Sequence, residues 1–402
     1  MTPRLRAAFL NLALAAASLL LGLGALEGLA RWDRHRRAGG KEQVEAAHYV
    51  EHDPVLGWKK KPGARVTYRR REYTAEVAVN SRGLRDRERG YERPEGTVRV
   101  LALGDSFVEG YTVAFEETVA QVMEKELGPC PAEVLNGGTA AWSLDQEYLF
   151  YVHEGARYEP QVVVAFVYFN DVYWTIFDNH FGTPKPLLGR EAGRLFVRND
   201  PVPFRPGAPA TQAPRPPAHG SAAWEWFRDR MARGAPRAYN RLAGAGLWEP
   251  LGGDEPDPQM RVYKRRQQPI IEKAWEQTDM ILRALHGETA RRGARLLLAY
   301  VPSRMEVSDR DWELTRLAYN MDERQWDRGL VARRLNDIAR SAGFPVLDLT
   351  PALRAGSGGI HGEPYFLYDG HWNSLGHRLA GRAVAAELRR LGWVPGCGPA
   401  AR

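Results

Sequence analysis

Three residue types that together make an activated nucleophile occur in the chain in the order Ser, Asp, His. Ser106 closes the run Val98-Arg99-Val100-Leu101-Ala102-Leu103-Gly104-Asp105-Ser106, and Asp369 and His371 lie in Tyr368-Asp369-Gly370-His371-Trp372. A serine hydroxyl attacks a carbonyl only when a base takes its proton, and the base needs a group to orient it. The chemistry such a set performs is acyl transfer through a covalent ester on the serine. Gly-Asp-Ser alone is a common turn sequence; the Asp-x-His partner near the other end of the chain is what gives it weight.

Two further motifs carry donors for a developing oxyanion. The glycines of Asn136-Gly137-Gly138-Thr139 let backbone N–H groups approach a ligand closely, and the side-chain amide of Asn170, in Asn170-Asp171, is a donor of the kind oxyanion holes use. Each alone reads equally as a turn. Arg304, in Pro302-Ser303-Arg304, is either a holder of an anionic substrate group or a surface arginine. His377 is a second histidine near the site, but its surroundings (Leu375, Leu379, Val384, Leu388, Leu391) have the spacing of a packed helix, so it reads as structural and His371 as the base.

Positioning these residues requires elements that end at one edge. Apolar, β-branched runs predict strands at Val98–Leu103, Ala132–Asn136, Gln161–Phe169, Ala294–Val301 and Phe344–Leu349. Helical patterns fall near Glu116–Leu127, where Gly128 reads as a C′ glycine, and near Leu144–Glu154, Ile270–Arg291, Trp326–Ala342 and Leu375–Leu391. Ser143 and Gln146 have capping-box spacing. Alternation of this kind implies a mainly parallel, flavodoxin-like sheet between two helical layers, a three-layer α/β/α sandwich. The Ser, Gly, Asn and Asp-x-His motifs follow the first, second, third and last of the predicted strands, and the carboxyl edge of such a sheet is where ligands bind.

Three segments flank or interrupt this core. Residues 1–37 hold the apolar run Ala7–Leu26, whose twenty residues at 1.5 Å each span about 30 Å, the thickness of a bilayer's hydrocarbon core. Arginines lie on both sides of it. It is apolar on all faces, which a core helix is not, and no small-x-small cleavage site is evident, so it reads as one uncleaved transmembrane anchor. Residues 38–97 form a polar lead-in with short alternating runs and turn signals, consistent with a small antiparallel sheet. Residues 98–396 form the main domain, with a proline-rich insertion over about 172–268. Within it, Trp224-Glu225-Trp226-Phe227 opens a helical stretch that lies either on the domain or on the membrane.

The chain has 402 residues, 44% hydrophobic and 26% charged, with a net charge of +7. That supports one large domain with insertions, or two domains. The arginines are scattered and accompany no nucleic-acid-binding motif, so the charge reads as a basic surface with some attraction for anionic lipid or glycan. Cys130 and Cys397 lack CxxC or metal spacing; they read as a disulfide in an oxidising compartment or as two unrelated thiols.

From Val98 to Leu391 these motifs resemble the SGNH (GDSL-type) hydrolase superfamily. The resemblance implies that Ser106 is the nucleophile, that the Ser106 N–H, the Gly138 N–H and the Asn170 side chain form the oxyanion hole, and that Asp369 and His371 are orienting acid and base. Two blocks depart from the family pattern: Tyr168-Phe169 stands where a glycine usually precedes Asn-Asp, and Asp369-Gly370-His371-Trp372 replaces the usual Asp-x-x-His. The D-x-H-W form is similar to the SGNH-like domains of alginate O-acetylation. The anchor and the lead-in, with Gly57-Trp58 and Asn80-x-x-Gly83-Leu84-Arg85, resemble membrane-anchored bacterial members.

The function expected is therefore an anchored ester hydrolase or O-acyltransferase acting on acetyl esters of an extracytoplasmic glycan. It needs no metal or cofactor, and a membrane-bound acyl-donor protein is a further expected partner. The count of arginines flanking the anchor argues for a cytoplasmic catalytic domain; signal-anchor logic and the resemblance argue for a periplasmic one, which is the orientation adopted. A different class remains open: a catalytically weak glycan-binding or scaffold component of a polysaccharide export system.

Overall fold

A computed structural model of the chain describes residues 3–38, 49–70, 72–128, 131–192, 194–205, 221–235, 238–239, 242, 257–319, 321–358 and 363–394. Cys130, Cys397 and most of the proline-rich stretch, 206–220, lie outside the described residues. The chain forms two compact units. One comprises Met1–Lys41, Pro214–Asp254 and Arg316–Asn320; the other comprises Glu42–Ala213, Glu255–Thr315 and Met321–Arg402.

In the first unit the apolar run lies within one helix, α1 (Pro3–Ala38). Several of its side chains are outside the described residues, and among the described residues no helix is long and apolar enough to cross a membrane. The tryptophan-rich stretch is helical over Ala222–Gly234 and packs against α1. There Glu27 accepts the Ser221 hydroxyl and the N–H groups of Ala222 and Ala223.

The second unit holds the sheet. The lead-in supplies two antiparallel hairpins, β1 (Val50–Asp53) with β2 (Gly57–Lys60), and β3 (Arg65–Arg69) with β4 (Thr74–Ala78). Next come β5 (Val98–Leu103), β6 (Ala132–Asn136) and β7 (Val162–Val167). The insertion adds two more antiparallel pairs, β8 (Asn179–His180) with β9 (Thr183–Pro184) and β10 (Leu188–Glu191) with β11 (Arg194–Val197). β12 (Arg295–Tyr300) and β13 (Val346–Asp348) complete the main sheet.

That sheet is parallel throughout, with the order β13-β12-β7-β5-β6. Numbering only its own strands, this is the flavodoxin-like order, whose switch point falls between the first and third strands. Here those are β5 and β7. Every residue of β5 and β7 is buried, as expected of a strand covered on both faces. On one face Val98, Val100, Ala102, Val162, Val164 and Phe166 share a core with residues of the paired helices Val119–Leu127 and Ser374–Arg390. On the other, Leu101 and Phe150 both crowd Gly137 and Gly155, and the helix that carries Phe150, Leu144–His153, packs on Pro269–Arg291.

Several boundaries differ from expectation for local reasons. The third strand stops at Val167 because Tyr168 caps a helix over Phe169–Trp174, with its N–H on Asp171 Oδ2 at 2.7 Å. Gly128 ends its helix in a right-handed conformation, φ −52°, not the left-handed one of a C′ glycine. Half of the capping box forms: Ser143 N–H donates to Gln146 Oε1, while the Ser143 hydroxyl turns to Asp145.

Candidate active site

β5 delivers Gly104-Asp105-Ser106 to the switch point, and a short helix, Ser106–Glu109, begins at the serine. Asp105 caps it, its carboxylate accepting the Phe107 N–H at 2.9 Å. Ser106 is therefore the first residue of a helix, where the N–H has no acceptor within the helix. Arg85, fully buried, holds the far end: its guanidinium donates to the carbonyls of Glu109, Gly110, Val113 and Glu76. A planar fork with five donors suits such a cluster of carbonyls.

The Asp-x-His block comes to the same edge. The loop closes through the Phe366 N–H to the His371 carbonyl at 2.8 Å and the Gly370 N–H to the Phe366 carbonyl at 3.2 Å. Gly370 sits at φ +84°, a conformation that favours glycine. Ser106 Oγ lies 2.8 Å from His371 Nε2, and His371 Nδ1 lies 2.6 Å from Asp369 Oδ1. The imidazole is packed between Phe107 and Tyr111. Trp372, fully buried, sits edge-on to Phe107 and accepts the Thr112 hydroxyl at its carbonyl. It anchors the loop beneath the histidine.

The electrostatics follow from this packing. Burial pushes the His371 imidazolium down, but the charge and hydrogen bond of Asp369, with Asp105 and Glu109 beyond, outweigh it and hold His371 above its ordinary value. Burial pushes the Asp369 carboxyl up; His371 and the Tyr73 hydroxyl outweigh that and hold it below the usual carboxylate range. Asp105, buried beneath the serine, is raised to about 6 by desolvation. His377 is a different case. It is buried, desolvation lowers it to about 3, and its Nδ1 accepts the Val119 N–H at 3.2 Å. It is a neutral packing residue, as its helical spacing suggested.

The expected oxyanion donors diverge. Asn170 lies in the first turn after β7, at the same edge as Ser106. Among the described residues its side-chain oxygen is buried without a hydrogen-bond partner; the donor an oxyanion would use is the other end of that amide, Nδ2. The Gly138 N–H, expected as a donor to the oxyanion, donates to Asn136 Oδ1 at 3.1 Å. Glycine is required there for another reason, since a Cβ would come within 2.4 Å of the Glu109 nitrogen. The Asn136 side chain, Lys60 Nζ and the Ala140 N–H to Glu109 Oε2 tie this loop to its neighbours. Burial lowers Lys60 to about 8.

Arg304 has partners within the protein. Its guanidinium forms a fork onto Asp311, with bonds of 2.8 and 2.5 Å, and donates to the Leu367 carbonyl at 2.7 Å. It braces the catalytic loop with three of its five N–H groups.

Sequence reasoning missed the contribution of the lead-in. Glu72 and Tyr73, on the turn between β3 and β4, both contact the Asp369 loop. Arg85 was visible as part of Asn80-x-x-Gly83-Leu84-Arg85, though its role was not. Asn80 Oδ1 shapes that turn by accepting the N–H groups of Arg82 and Leu84. For Glu72 and Tyr73 no spacing signal exists, since their partners are almost three hundred residues away.

Residues 261–401 match the family described as SGNH hydrolase-like domain, acetyltransferase AlgX. Among solved structures, a putative lipolytic protein of the G-D-S-L family from Desulfitobacterium hafniense aligns at 12% identity over 72% of this chain and 98% of its own, with a TM-score of 0.35. An acetylxylan esterase from Geobacillus stearothermophilus aligns at 12% identity over 73% and 94%, TM-score 0.36. A lipase/acylhydrolase from Enterococcus faecalis aligns at 10% over 75% and 99%, TM-score 0.36. No curated protein matches the chain. The family match agrees, over residues 261–401 and so over the block that holds Asp369 and His371, with the resemblance read from the sequence.

Proposed function

We propose that this chain is a membrane-anchored SGNH-type enzyme that cleaves or transfers acyl groups, chiefly acetyl, on an extracytoplasmic glycan through an acyl-enzyme on Ser106. The observation that carries the reading is the unbroken line from Ser106 Oγ through His371 to Asp369, at 2.8 and 2.6 Å. Ser106 Oγ attacks the ester carbonyl and its proton passes to His371 Nε2. Asp369 Oδ1 holds the Nδ1–H and stabilises the imidazolium. The Ser106 N–H and the Asn170 amide face the developing oxyanion. His371 then protonates the leaving alkoxide. Water completes the cycle in an esterase; in a transferase a sugar hydroxyl does, with the first acyl group arriving from a donor protein in the membrane.

Acetyl as the group transferred is supported by the acetyltransferase family that matches residues 261–401, and the glycan by the resemblance of Asp369-Gly370-His371-Trp372 to the domains of alginate O-acetylation. Anchoring is supported by the apolar run Ala7–Leu26 and by the exposure of its described leucines Leu14, Leu19, Leu20, Leu21 and Leu23; exposed apolar surface on this scale marks a partner or a membrane. The test is labelling with a fluorophosphonate, followed by mass spectrometry of Ser106 after incubation with acetylated oligosaccharides. Stoichiometric labelling and an acetyl group on Ser106 are expected. An unlabelled, unacetylated serine refutes the acyl-enzyme. Cell fractionation tests the anchor: recovery of the full chain in the soluble fraction refutes it.

A further inference from the structure

We infer that Glu72 and Tyr73, at the turn of the β3–β4 hairpin, are positioning residues for acyl transfer: Glu72 holds the backbone that carries Asp369, and Tyr73 holds Asp369 Oδ2 so that Oδ1 faces the histidine. The inference rests on the proposed role of Ser106.

Three consecutive N–H groups precede the catalytic imidazole on a loop without ladder or helix partners for them. Glu72 accepts all three: Leu367 N–H at Oε1, 2.7 Å, and Tyr368 and Asp369 N–H at Oε2, 2.8 and 3.0 Å. Bonds from N–H groups to an ionised carboxylate are the strong kind. From the other side Arg304 holds the Leu367 carbonyl. The loop is thus gripped at its N–H groups by the lead-in and at a carbonyl by the main domain.

Tyr73 acts one bond further in. Its ring is buried, packs on Phe366 with centroids 4.9 Å apart, and its hydroxyl donates to Asp369 Oδ2 at 2.9 Å. The terminal torsion of an aspartate is soft, so the carboxylate plane needs an outside contact to select it. With Oδ2 held by Tyr73, Oδ1 takes the imidazole Nδ1 and, at 3.3 Å, the His371 N–H. The other groups facing His371 are Ser106, Tyr111, whose hydroxyl is 3.4 Å from Nδ1, and the carboxyls of Asp105 and Glu109. None of these touches Asp369 Oδ2 in the structure, so Tyr73 is the group that selects its rotamer.

The experiment measures kcat and KM on a small acetate ester in the full chain, with kcat normalised to serines titrated by fluorophosphonate. Tyr73→Phe keeps the ring and its packing. It should lower kcat per titrated serine about 10-fold, the worth of one hydrogen bond to a charged group, with KM unchanged. Glu72→Gln should lower it by at least as much, and Glu72→Asp should recover part of the loss. In an Asp369→Asn background, itself about 10⁴-fold slower, Tyr73→Phe should add less than about twofold, because both changes act through one carboxylate. Full kcat per titrated serine in Tyr73→Phe and Glu72→Gln overturns the inference while the nucleophile stands. So does an undiminished 10-fold loss on top of Asp369→Asn. A wild-type chain that takes up no fluorophosphonate overturns the role of Ser106, and this inference with it.

Discussion

Ser106 Oγ and His371 Nε2 lie 2.8 Å apart across 265 residues of sequence, one at the end of β5 and the other on the loop before the last helix. That distance is within direct proton-transfer reach. Ser106→Ala and His371→Ala should each lower turnover of an activated acetate ester by about 10⁴- to 10⁶-fold, and the double variant should be little worse than either single one, because members of a triad act as a unit. Steady-state kinetics on variants with unchanged circular dichroism decide it. Losses that multiply would mean that the two residues do not share a step.

The pH profile should be displaced upward. The base works only when neutral, and His371 is held above its ordinary value of about 6.5. The acidic limb of kcat/KM should therefore have its midpoint above 6.5. The stability sign runs the other way. A histidine with a raised folded-state value contributes stability that is fully present below the unfolded-state value, and this is lost as pH rises through the folded-state value. Activity should climb over the same window in which that increment of stability disappears. Rate profiles and urea midpoints across pH 5 to 9 measure both; an acidic limb at or below 6.5 contradicts the assignment.

His377 should separate cleanly from His371. Its ring is buried and neutral, and it accepts the Val119 N–H. His377→Ala leaves that N–H without an acceptor and opens a cavity, at a cost on the order of 2–4 kcal/mol. Chemical denaturation should show this loss, while kcat per titrated serine changes only a few-fold. A folded but inactive His377→Ala would reassign the base.

Arg304 offers a test of its bracing role. With its guanidinium on Asp311 and the Leu367 carbonyl, Arg304→Gln should lower kcat on neutral and anionic esters by the same factor and leave their ratio of kcat/KM unchanged. A selective rise in KM for the anionic ester would restore the reading of Arg304 as a substrate ligand.

Much of this was legible in the sequence because it is local. The runs of β5, apolar but for Arg99, and of β7 announce strands covered on both faces, the pattern of a parallel sheet. Gly104-Asp105-Ser106 and Asp369-Gly370-His371 name their chemistry by residue type, and right-handed crossovers bring strand ends in a parallel sheet to one edge. What tertiary structure alone decided is how these pieces are held and which donors stay free. The Gly138 N–H is engaged because Asn136 folds back onto it, and the Arg304 guanidinium because Asp311 faces it. The lead-in, whose short alternating runs announce only a hairpin, supplies Glu72, Tyr73 and Arg85 to the site. Hydrogen bonds between segments hundreds of residues apart leave no period or spacing in either segment, because what pairs them is the path of the backbone, and that path is set by burial of the core between them.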